Sequence, residues 1–391
     1  MGVGRKLRYG MIGGGPGAFI GAVHRHAADL DGEIELVAGA FSSSPQKSKE
    51  QGRTLFLDPE RVYDSYQEMA TAEAARPSRD RIDFVSIVTP NHLHFECAKT
   101  FIEAGFHIIC DKPLTNTLEE AEILCRLASE HNVIFGLTHN YTGYPMVKEA
   151  RARVAAGELG EIRKIVVEYP QGWLATLLEE TGQKQAEWRT DPARAGVSSA
   201  VGDIGTHAEN LAHYITGLEM EELLADFGTM VSGRRLEDDA SMLIRYKGGA
   251  RGILYASQIS VGEENALTIR IYGTTGSLKW EQEHPNWLTL MSQDEPARIL
   301  KRGNGYLSPA TQHYTRLPAG HPEGFIEAFA NIYRAVGRTI AARLSGHQPE
   351  PLDRDFPTVQ DGARGINFIH TTVRSNAERA WVDARYSPPD A

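Results

Sequence analysis

The first 140 residues alternate between short apolar runs and longer amphipathic segments. The runs are rich in Val, Ile and Leu, which is typical of strands buried on both faces of a parallel sheet. Five strands are predicted at residues 7–13, 34–41, 82–90, 107–113 and 133–140, with helices at 93–104 and 118–131 among the segments between them. Alternation of strand and helix with short loops predicts parallel strands joined by right-handed crossovers, hence a doubly wound α/β sheet.

The pattern changes after about Tyr144. A predicted helix at residues 147–156 is followed by segments in which apolar and polar residues alternate, joined by glycine-containing turns. Strands are predicted at 162–169, 240–246, 251–259, 267–272, 277–282 and 287–292, and helices at 323–344 and 359–380. Successive alternating strands indicate an antiparallel sheet. Since 391 residues exceed one ordinary domain, we predict an α/β domain over residues 1–143. Residues 144–391 should form a substrate-binding and oligomerisation α+β domain with a large, open-faced, mainly antiparallel sheet.

A glycine-rich loop follows the first strand and precedes a helix. Residues 12–21 read Ile-Gly-Gly-Gly-Pro-Gly-Ala-Phe-Ile-Gly. Glycines at such a turn let the backbone approach a pyrophosphate and expose N–H groups at a helix N-terminus. Either Ala18 takes the place of the third glycine, or Gly21 does so in a lengthened loop, which we prefer. The loop predicts a Rossmann-type domain whose cofactor contacts include Gly13, Gly15, Pro16, Gly17, Ala18 and Phe19.

The end of the second strand selects between NAD and NADP. An acidic residue there would bind the ribose hydroxyls and repel a 2′-phosphate, but residues 41–47 contain none. Ser42, Ser43 and Lys47 can instead hold a phosphate; equally, the serines can cap a helix beside a solvated lysine. We predict an NAD(P) cofactor, with NADP slightly favoured over NAD.

Three further motifs carry candidate chemistry. Lys112, in Asp-Lys-Pro, and the segment Thr-Pro-Asn-His-Leu-His at residues 89–94 each follow a parallel strand, at the sheet edge where ligands bind. Asp203 and His207 lie four residues apart at the start of a helical segment, hence on one face. An imidazole can take up a hydroxyl proton at neutral pH, and an ammonium can stabilise a developing alkoxide. The ordinary alternatives are a surface lysine, a helix-capping Asp203 and a core histidine.

Together these motifs resemble those of the glucose–fructose oxidoreductase / inositol dehydrogenase (Gfo/Idh/MocA) family, over nearly the whole chain. Trp-Arg-Thr-Asp-Pro at residues 188–192 and the hairpin at 272–278 add to the resemblance. It implies that Lys112, Asp203 and His207 are catalytic and contact substrate, with Asp203 orienting the imidazole or binding a substrate hydroxyl. Further cofactor contacts are implied for Thr89, Pro90, Asn91, His94, Asp111, Lys112, Asn140, Trp188 and Arg189.

Two details of the resemblance concern the second domain and its junction with the first. This sequence has His139-Asn140-Tyr141 where many relatives carry an arginine pair. Tyr169, Gln171 and Trp173 end a strand of the second domain. They are predicted to line a hydroxyl-rich substrate, the alternative being an ordinary sheet face.

The resemblance implies an NAD(P)-dependent dehydrogenase or reductase that acts on CH–OH groups of a sugar, cyclitol or glycoside, with a small polyhydroxylated molecule as substrate. Two other functions stay open. One is an NAD-dependent glycosidase that uses transient oxidation, and the other is a non-catalytic NAD(P)-binding regulator.

The composition of the chain limits which binding partners and which cellular location we expect. A net charge of −10 argues against nucleic acid, and no apolar run approaches the ~18 residues of a membrane span. Three cysteines without a CxxC pair indicate buried thiols in a reducing compartment, and without an HExxH motif no metal site is predicted. Residues 1–6 leave no room for a signal-peptide core, so we expect a cytoplasmic protein. The open sheet face needs a cover, which predicts a homodimer or homotetramer.

Overall fold

A computed structural model describes residues 4–389. The expectation about a signal peptide concerned residues 1–6, and the first three of these lie outside the described residues. The amino-terminal half forms a five-stranded parallel sheet in the order β2-β1-β3-β4-β5. Its elements are β1 Leu7–Gly13, α1 Phe19–Asp29, β2 Ile34–Ala40, α2 Pro45–Thr54, α3 Tyr66–Ala75, β3 Phe84–Val88, α4 His94–Glu103, β4 His107–Cys110, α5 Leu118–Glu130 and β5 Phe135–Leu137. The predicted Rossmann-type sheet is confirmed.

Several parallel strands end earlier than predicted. β3 stops at Val88, β4 at Cys110 and β5 at Leu137, where the predictions extended two or three residues further. Proline explains two of these ends, because residues 90 and 113 have no N–H to donate to a sheet ladder. The shortened strands place Thr89, Asp111 and Thr138 in loops along one edge of the sheet.

The second half of the chain builds a nine-stranded sheet, in the order β13-β12-β11-β10-β6-β9-β8-β7-β14. Its elements are α6 Pro145–Ala155, β6 Ile162–Pro170, α7 Lys184–Arg189, α8 Pro192–Ala195, α9 Thr206–Thr216, β7 Met220–Gly228, β8 Asp239–Tyr246, β9 Arg251–Ser257, β10 Thr268–Gly273, β11 Gly276–Glu281, β12 Trp287–Ser292, β13 Arg298–Lys301, α10 Pro309–His313, α11 Phe325–Leu344, α12 Val359–Glu378 and β14 Val382–Asp383. All neighbouring pairs are antiparallel except β6 and β9. The predicted mainly antiparallel sheet is confirmed.

The prediction missed β7, β13 and β14. In β7 the sequence Met-Glu-Glu-Leu-Leu-Ala-Asp-Phe-Gly places two glutamates and two leucines side by side, so the alternation typical of a strand is broken. Leu223 and Ala225 nevertheless point inward, and α12 packs against this strand. Tertiary packing therefore decides the structure of this segment.

The helix α11, although late in the sequence, covers a face of the amino-terminal sheet. Tyr333 packs near Tyr9 and Phe84. Its hydroxyl lies 2.6 Å from Ser86 Oγ and 2.7 Å from His24 Nδ1. The domain boundary drawn between residues 143 and 144 stays a prediction, and the first sheet's core includes this later helix.

The nine-stranded sheet has one covered face and one open face. Helices α6, α9 and α12 pack on the covered side. On the opposite side Leu243 and Ile253, which are neighbours on β8 and β9, are 45% and 36% exposed. Within residues 4–389, no helix is both long and apolar enough to cross a membrane.

Candidate active site

A cavity of about 1140 Å³ runs from the glycine loop, along the carboxyl edge of the parallel sheet, to the second sheet. Of the predicted site residues, it is lined by Gly13, Gly15, Pro16, Ala18, Phe19, Ser42, Ser43, Lys47, Thr89, Pro90, Asn91, Asp111, Lys112, Asn140, Tyr169, Trp173, Trp188, Arg189, Asp203 and His207. Gly17 and His94 are not on its wall. The structure therefore brings together, in one space, residues that lie up to 194 positions apart in the chain, from Gly13 to His207.

His94 lies behind this wall, fully buried. Its Nδ1 is 2.8 Å from the carbonyl oxygen of Pro113 and its Nε2 is 2.9 Å from that of Thr89. The side chain thus joins the loops that follow β3 and β4, so its place in the structure is to hold the wall rather than to contact a ligand.

The glycine loop is shaped by close backbone contacts. A Cβ on Gly13 would lie 2.5 Å from the carbonyl oxygen of Val88, and one on Gly15 would lie 2.6 Å from that of Phe41. A Cβ on Gly21 would lie 2.4 Å from the Cα of Gly14. Because Gly21 lets α1 pack directly on the loop, the structure favours the longer alignment with Gly21 as third glycine. The N-terminus of α1 then faces the cavity without a side-chain cap, as anion binding requires.

Three buried polar atoms on the cavity wall lack hydrogen-bond partners within the described residues. One is Gln282 Oε1, after β11; the other two, Thr89 Oγ1 and Asn140 Nδ2, follow strands of the parallel sheet. Leaving such groups unpaired costs about 1–3 kcal/mol each, so they are available to a ligand. The glycine cradle and these two groups fit a dinucleotide, with the pyrophosphate at the loop and Thr89 and Asn140 toward its other end.

At the end of β2, the helix cap and the candidate phosphate ligands are different residues. Ser44 caps α2 by accepting a hydrogen bond from the Lys47 N–H at 3.5 Å, while Ser42 and Ser43 line the cavity. Within residues 4–389 Lys47 makes no ion pair, whereas Lys49 pairs with Asp64 at 3.1 Å. The Lys47 ammonium is therefore available at the cavity.

Asp203 is the centre of a charged cluster between the two sheets. Lys112 Nζ donates to Asp203 Oδ1 at 2.8 Å and to its main-chain oxygen at 2.6 Å. Arg189 Nε and Gln258 Nε2 both donate to Oδ2 at 2.9 Å. Burial alone would raise the pKa of Asp203, but Arg189 and Lys112 outweigh it and hold that pKa below its ordinary value. Asp203 is thus an anion that positions Lys112, and in this structure it neither caps its helix nor bonds His207.

The segment carrying Asp203 is fixed by a distant glutamate. Residues 201–205 form one turn of π-helix that runs into α9. Glu237 Oε1 accepts hydrogen bonds from the main-chain N–H groups of Ser199 and Val201, at 3.0 and 3.1 Å, and from Ser198 Oγ. Sequence reasoning missed Glu237 because it lies in a loop before β8 and carries no motif.

His207 lies on the cavity wall one turn after Asp203. Its ring makes an edge-to-face contact with Tyr141, with centroids 4.8 Å apart, and its Nδ1 is 3.4 Å from Nδ1 of His139. Burial, with further contributions from Lys112 and His139, places the pKa of His207 well below 6.5. The ring is therefore neutral at pH 7 and can accept a proton. His139 was not predicted as a site residue.

A ladder of uncharged polar side chains forms the wall contributed by the second sheet. Tyr169 Oη donates to Asn265 Oδ1 at 2.7 Å and also bonds Tyr141 Oη. Gln171 Nε2 donates to the same Asn265 oxygen at 2.7 Å, and Trp173 Nε1 donates to Gln171 Oε1 at 3.0 Å. Tyr169, Gln171 and Trp173 were predicted to line the site, whereas no role was predicted for Tyr141 or Asn265, which are 124 positions apart.

The second half of the chain also reaches the glycine loop. Lys184, at the start of α7, has its Nζ 4.0 Å from the position that a Cβ on Gly17 would take. Lys184 and Arg194 both line the cavity, and Asn91 Nδ2 donates to the Ala195 carbonyl at 3.3 Å. Lys184 on α7 therefore faces the part of the cavity that fits a pyrophosphate, Arg194 on α8 lines the same cavity, and neither was predicted.

Comparison with known proteins agrees with this geometry. The model of an oxidoreductase family with an NAD-binding Rossmann fold matches residues 7–139, and that of the GFO/IDH/MocA C-terminal domain matches residues 147–279. The uncharacterized oxidoreductase YfiI of Bacillus subtilis is 37% identical over 97% of this chain and 98% of its own length. Levoglucosan dehydrogenase of Pseudarthrobacter phenanthrenivorans is 28% identical over 77% of this chain and 80% of its own.

Solved structures show the same relationship. The crystal structure of an inositol dehydrogenase homolog from Azotobacter vinelandii, complexed with NAD⁺, has a TM-score of 0.92 and 37% identity. The match covers 97% of this chain and 98% of that one. These matches confirm the resemblance seen in the motifs: the chain belongs to the GFO/IDH/MocA family of NAD-binding oxidoreductases.

Proposed function

We propose that the protein is an NAD(P)-dependent dehydrogenase that moves a hydride between the nicotinamide and a carbinol or carbonyl carbon of a sugar, cyclitol or glycoside. The observation that carries this proposal is the shared cavity. The glycine loop, the Lys112 ammonium and the His207 imidazole all line it, and the last two come from opposite halves of the chain.

The charges and protonation states support an alcohol oxidation. A bound nicotinamide supplies the hydride acceptor. The proton of the substrate hydroxyl passes to the neutral His207 ring. Lys112, held by Asp203, stabilises the negative charge that develops on the substrate oxygen. In the reverse direction, protonated His207 returns the proton to a carbonyl oxygen.

The composition of the wall supports a neutral, polyhydroxylated substrate. The ladder of Tyr141, Tyr169, Gln171 and Asn265 offers uncharged hydroxyl and amide groups. Lys112 and Arg189, which line the same cavity, are both paired with Asp203. These uncharged groups suit the hydroxyls of a neutral substrate better than they suit a phosphate. The names of the relatives agree with this class, since one is an inositol dehydrogenase homolog and another a levoglucosan dehydrogenase.

For the cofactor we propose a slight preference for NADP. Ser42, Ser43 and Lys47, which makes no ion pair within the described residues, offer hydroxyls and a cation at the end of β2. Residues 41–47 hold no carboxylate, and Asp64, which also lines the cavity, pairs with Lys49. A location in the cytoplasm is also proposed, because Cys97, Cys110 and Cys125 are all buried free thiols.

A substrate screen tests the proposed function. Neutral polyols, aldoses, keto-sugars and glycosides, each beside its phosphorylated counterpart where one exists, are incubated with NAD⁺ or NADP⁺ and followed at the absorbance of the reduced nicotinamide. Stoichiometric reduction with a neutral compound is expected, with the higher kcat/KM for NADP⁺. Release of free sugar without net reduction would instead identify the glycosidase alternative. Cofactor binding without turnover on any compound would favour the regulator.

We further propose that the open face of the nine-stranded sheet is covered by another copy of the chain, in a homodimer or homotetramer. Leu243 and Ile253 expose apolar surface on β8 and β9, and large exposed apolar patches are uncommon on monomers. Light scattering at micromolar concentration should give a mass of at least twice the 43.1 kDa chain; a mass of one chain would contradict the proposal.

A further inference from the structure

The two buried histidines of the site form a pair that the proposed chemistry does not yet explain. His139 follows β5 in the amino-terminal half, and His207 lies in the first turn of α9. Their Nδ1 atoms are 3.4 Å apart, and their rings meet edge to face with centroids 5.3 Å apart. His139 is 1% exposed and His207 is 7% exposed, so water does not replace this contact.

The protonation of the pair is constrained by its surroundings. His139 is held neutral because burial, helped by the charge of Lys112, lowers its pKa to about 3, against a smaller opposing effect of Asp111. Lys112 also lowers the pKa of His207, and Asp203 opposes it only in part. A short contact between the Nδ1 atoms of two neutral imidazoles requires one N–H and one lone pair. One ring therefore donates, and the other accepts.

The position of the second proton decides which ring donates. Within residues 4–389, the contact with His139 is the side-chain hydrogen bond that His207 makes, and the ring borders the cavity. If His139 donated, the single proton of the neutral His207 ring would lie on Nε2, which then could not accept a proton from a substrate. If His207 donates, its Nε2 keeps the lone pair that the proposed function requires.

We propose that His139 is a positioning residue whose Nδ1 accepts a hydrogen bond from the Nδ1–H of His207, so that Nε2 of His207 is kept unprotonated on the cavity side. This inference rests on the proposed role of His207 as proton acceptor. The tautomer of a histidine is set by the hydrogen bond that its other nitrogen makes. When Nε2 takes the substrate hydroxyl proton, the ring becomes an imidazolium whose Nδ1–H still donates to His139.

The arrangement differs from the one expected from the sequence, in which Asp203 was a candidate to orient the imidazole. A carboxylate partner would raise the pKa of the histidine, whereas a neutral imidazole partner fixes the tautomer without adding a negative charge. Asp203 instead accepts hydrogen bonds from Lys112, Arg189 and Gln258. Asp203 therefore positions the Lys112 ammonium, and His139 positions the imidazole of His207.

Two substitutions at one position separate this role from a packing role. His139→Asn keeps an acceptor close to the place of Nδ1, and His139→Phe keeps a ring but removes the acceptor. We expect His139→Phe to lower kcat roughly 10- to 100-fold with KM changed less than about twofold, since a wrong tautomer removes much of the contribution of a general base. His139→Asn should retain kcat within about threefold of the wild type.

Nitrogen NMR of ¹⁵N-histidine-labelled protein reads the tautomer directly, without turnover. The chain has 14 histidines, and the His207 signals are assigned as those lost in His207→Gln. In wild type and His139→Asn, Nε2 of His207 should resonate as an unprotonated imidazole nitrogen, and in His139→Phe as a protonated one.

The outcomes distinguish a failure of the role proposed for His139 from a failure of the role proposed for His207. A proton on Nε2 of His207 in the folded wild type, or an unchanged His207 signal and kcat in His139→Phe, overturns the role of His139. If the NMR result is as expected but His207→Gln turns over at the wild-type rate, the tautomer assignment stands and the proposed function of His207 fails. Equal losses in the Phe and Asn variants would show a packing role and also overturn the inference.

Discussion

Replacement of Lys112 by Ala should lower kcat by about 10³-fold while the fold is preserved. The ammonium is the cation that we place at the substrate oxygen, and loss of a single preorganised electrostatic partner in a buried site has effects of about 10²–10³. Asp203 would keep Arg189 and Gln258 at 2.9 Å, so the carboxylate is not left alone in the interior. Steady-state kinetics on the substrate found in the screen, together with thermal unfolding, provide the measurement.

The control for this change is Lys247→Ala, in the exposed turn between β8 and β9 and away from the cavity. It should have kcat and unfolding temperature close to those of the wild type. A second comparison, Lys112→Arg, keeps the charge but not the shape of the ammonium, and intermediate activity is expected. Wild-type turnover in Lys112→Ala would remove this residue from the mechanism.

Replacement of His207 by Ala should lower kcat by roughly 10²–10⁴-fold, the usual contribution of a general acid or base. The pH dependence adds a second, independent readout. The neutral ring is the active form in oxidation, and its pKa lies well below 6.5 because of burial and of Lys112. Wild-type kcat/KM should therefore be level through neutral pH and fall only on the acid side, below pH 6.5, as His207 becomes protonated.

The His207 variant should lose that acid limb as well as its rate. His26→Ala, which removes an exposed histidine on α1, is the matched control and should keep both. An acid limb that persists unchanged in His207→Ala would assign the titration to another group, and Asp203 and His139 are the neighbours to consider next.

Residues that follow strands and residues that repeat along a helix were predictable from the sequence. Lys112 follows a run of buried apolar residues, which predicts a place at the sheet edge, and Asp203 and His207 are spaced one helical turn apart, which predicts a shared face. That the three belong to one site was implied by the family resemblance. The π-helical turn at residues 201–205 does not separate Asp203 from His207, since both side chains still line the cavity.

The partners of those residues were not predictable, because each contact joins distant parts of the chain. Asp203 meets Lys112 across 91 positions and Gln258 across 55, and His139 meets His207 across 68. No periodicity links such pairs, and the family resemblance joined only Lys112, Asp203 and His207 among them. The role expected of Asp203 changed for this reason. Its spacing from His207 suggested a bond between the two side chains, but in the folded chain Asp203 bonds Lys112, Arg189 and Gln258 instead.

The contribution of α11 to the amino-terminal sheet has a consequence for biosynthesis. Residues 325–344 supply Tyr333, whose ring packs on the strands of the first half. A ribosome makes Phe84 and Tyr9, the strand residues near this ring, 249 and 324 residues before Tyr333. At about 5–20 residues per second, the nascent sheet waits for tens of seconds with that apolar face uncovered. The half of the molecule that is synthesised first can complete its packing only near the end of translation.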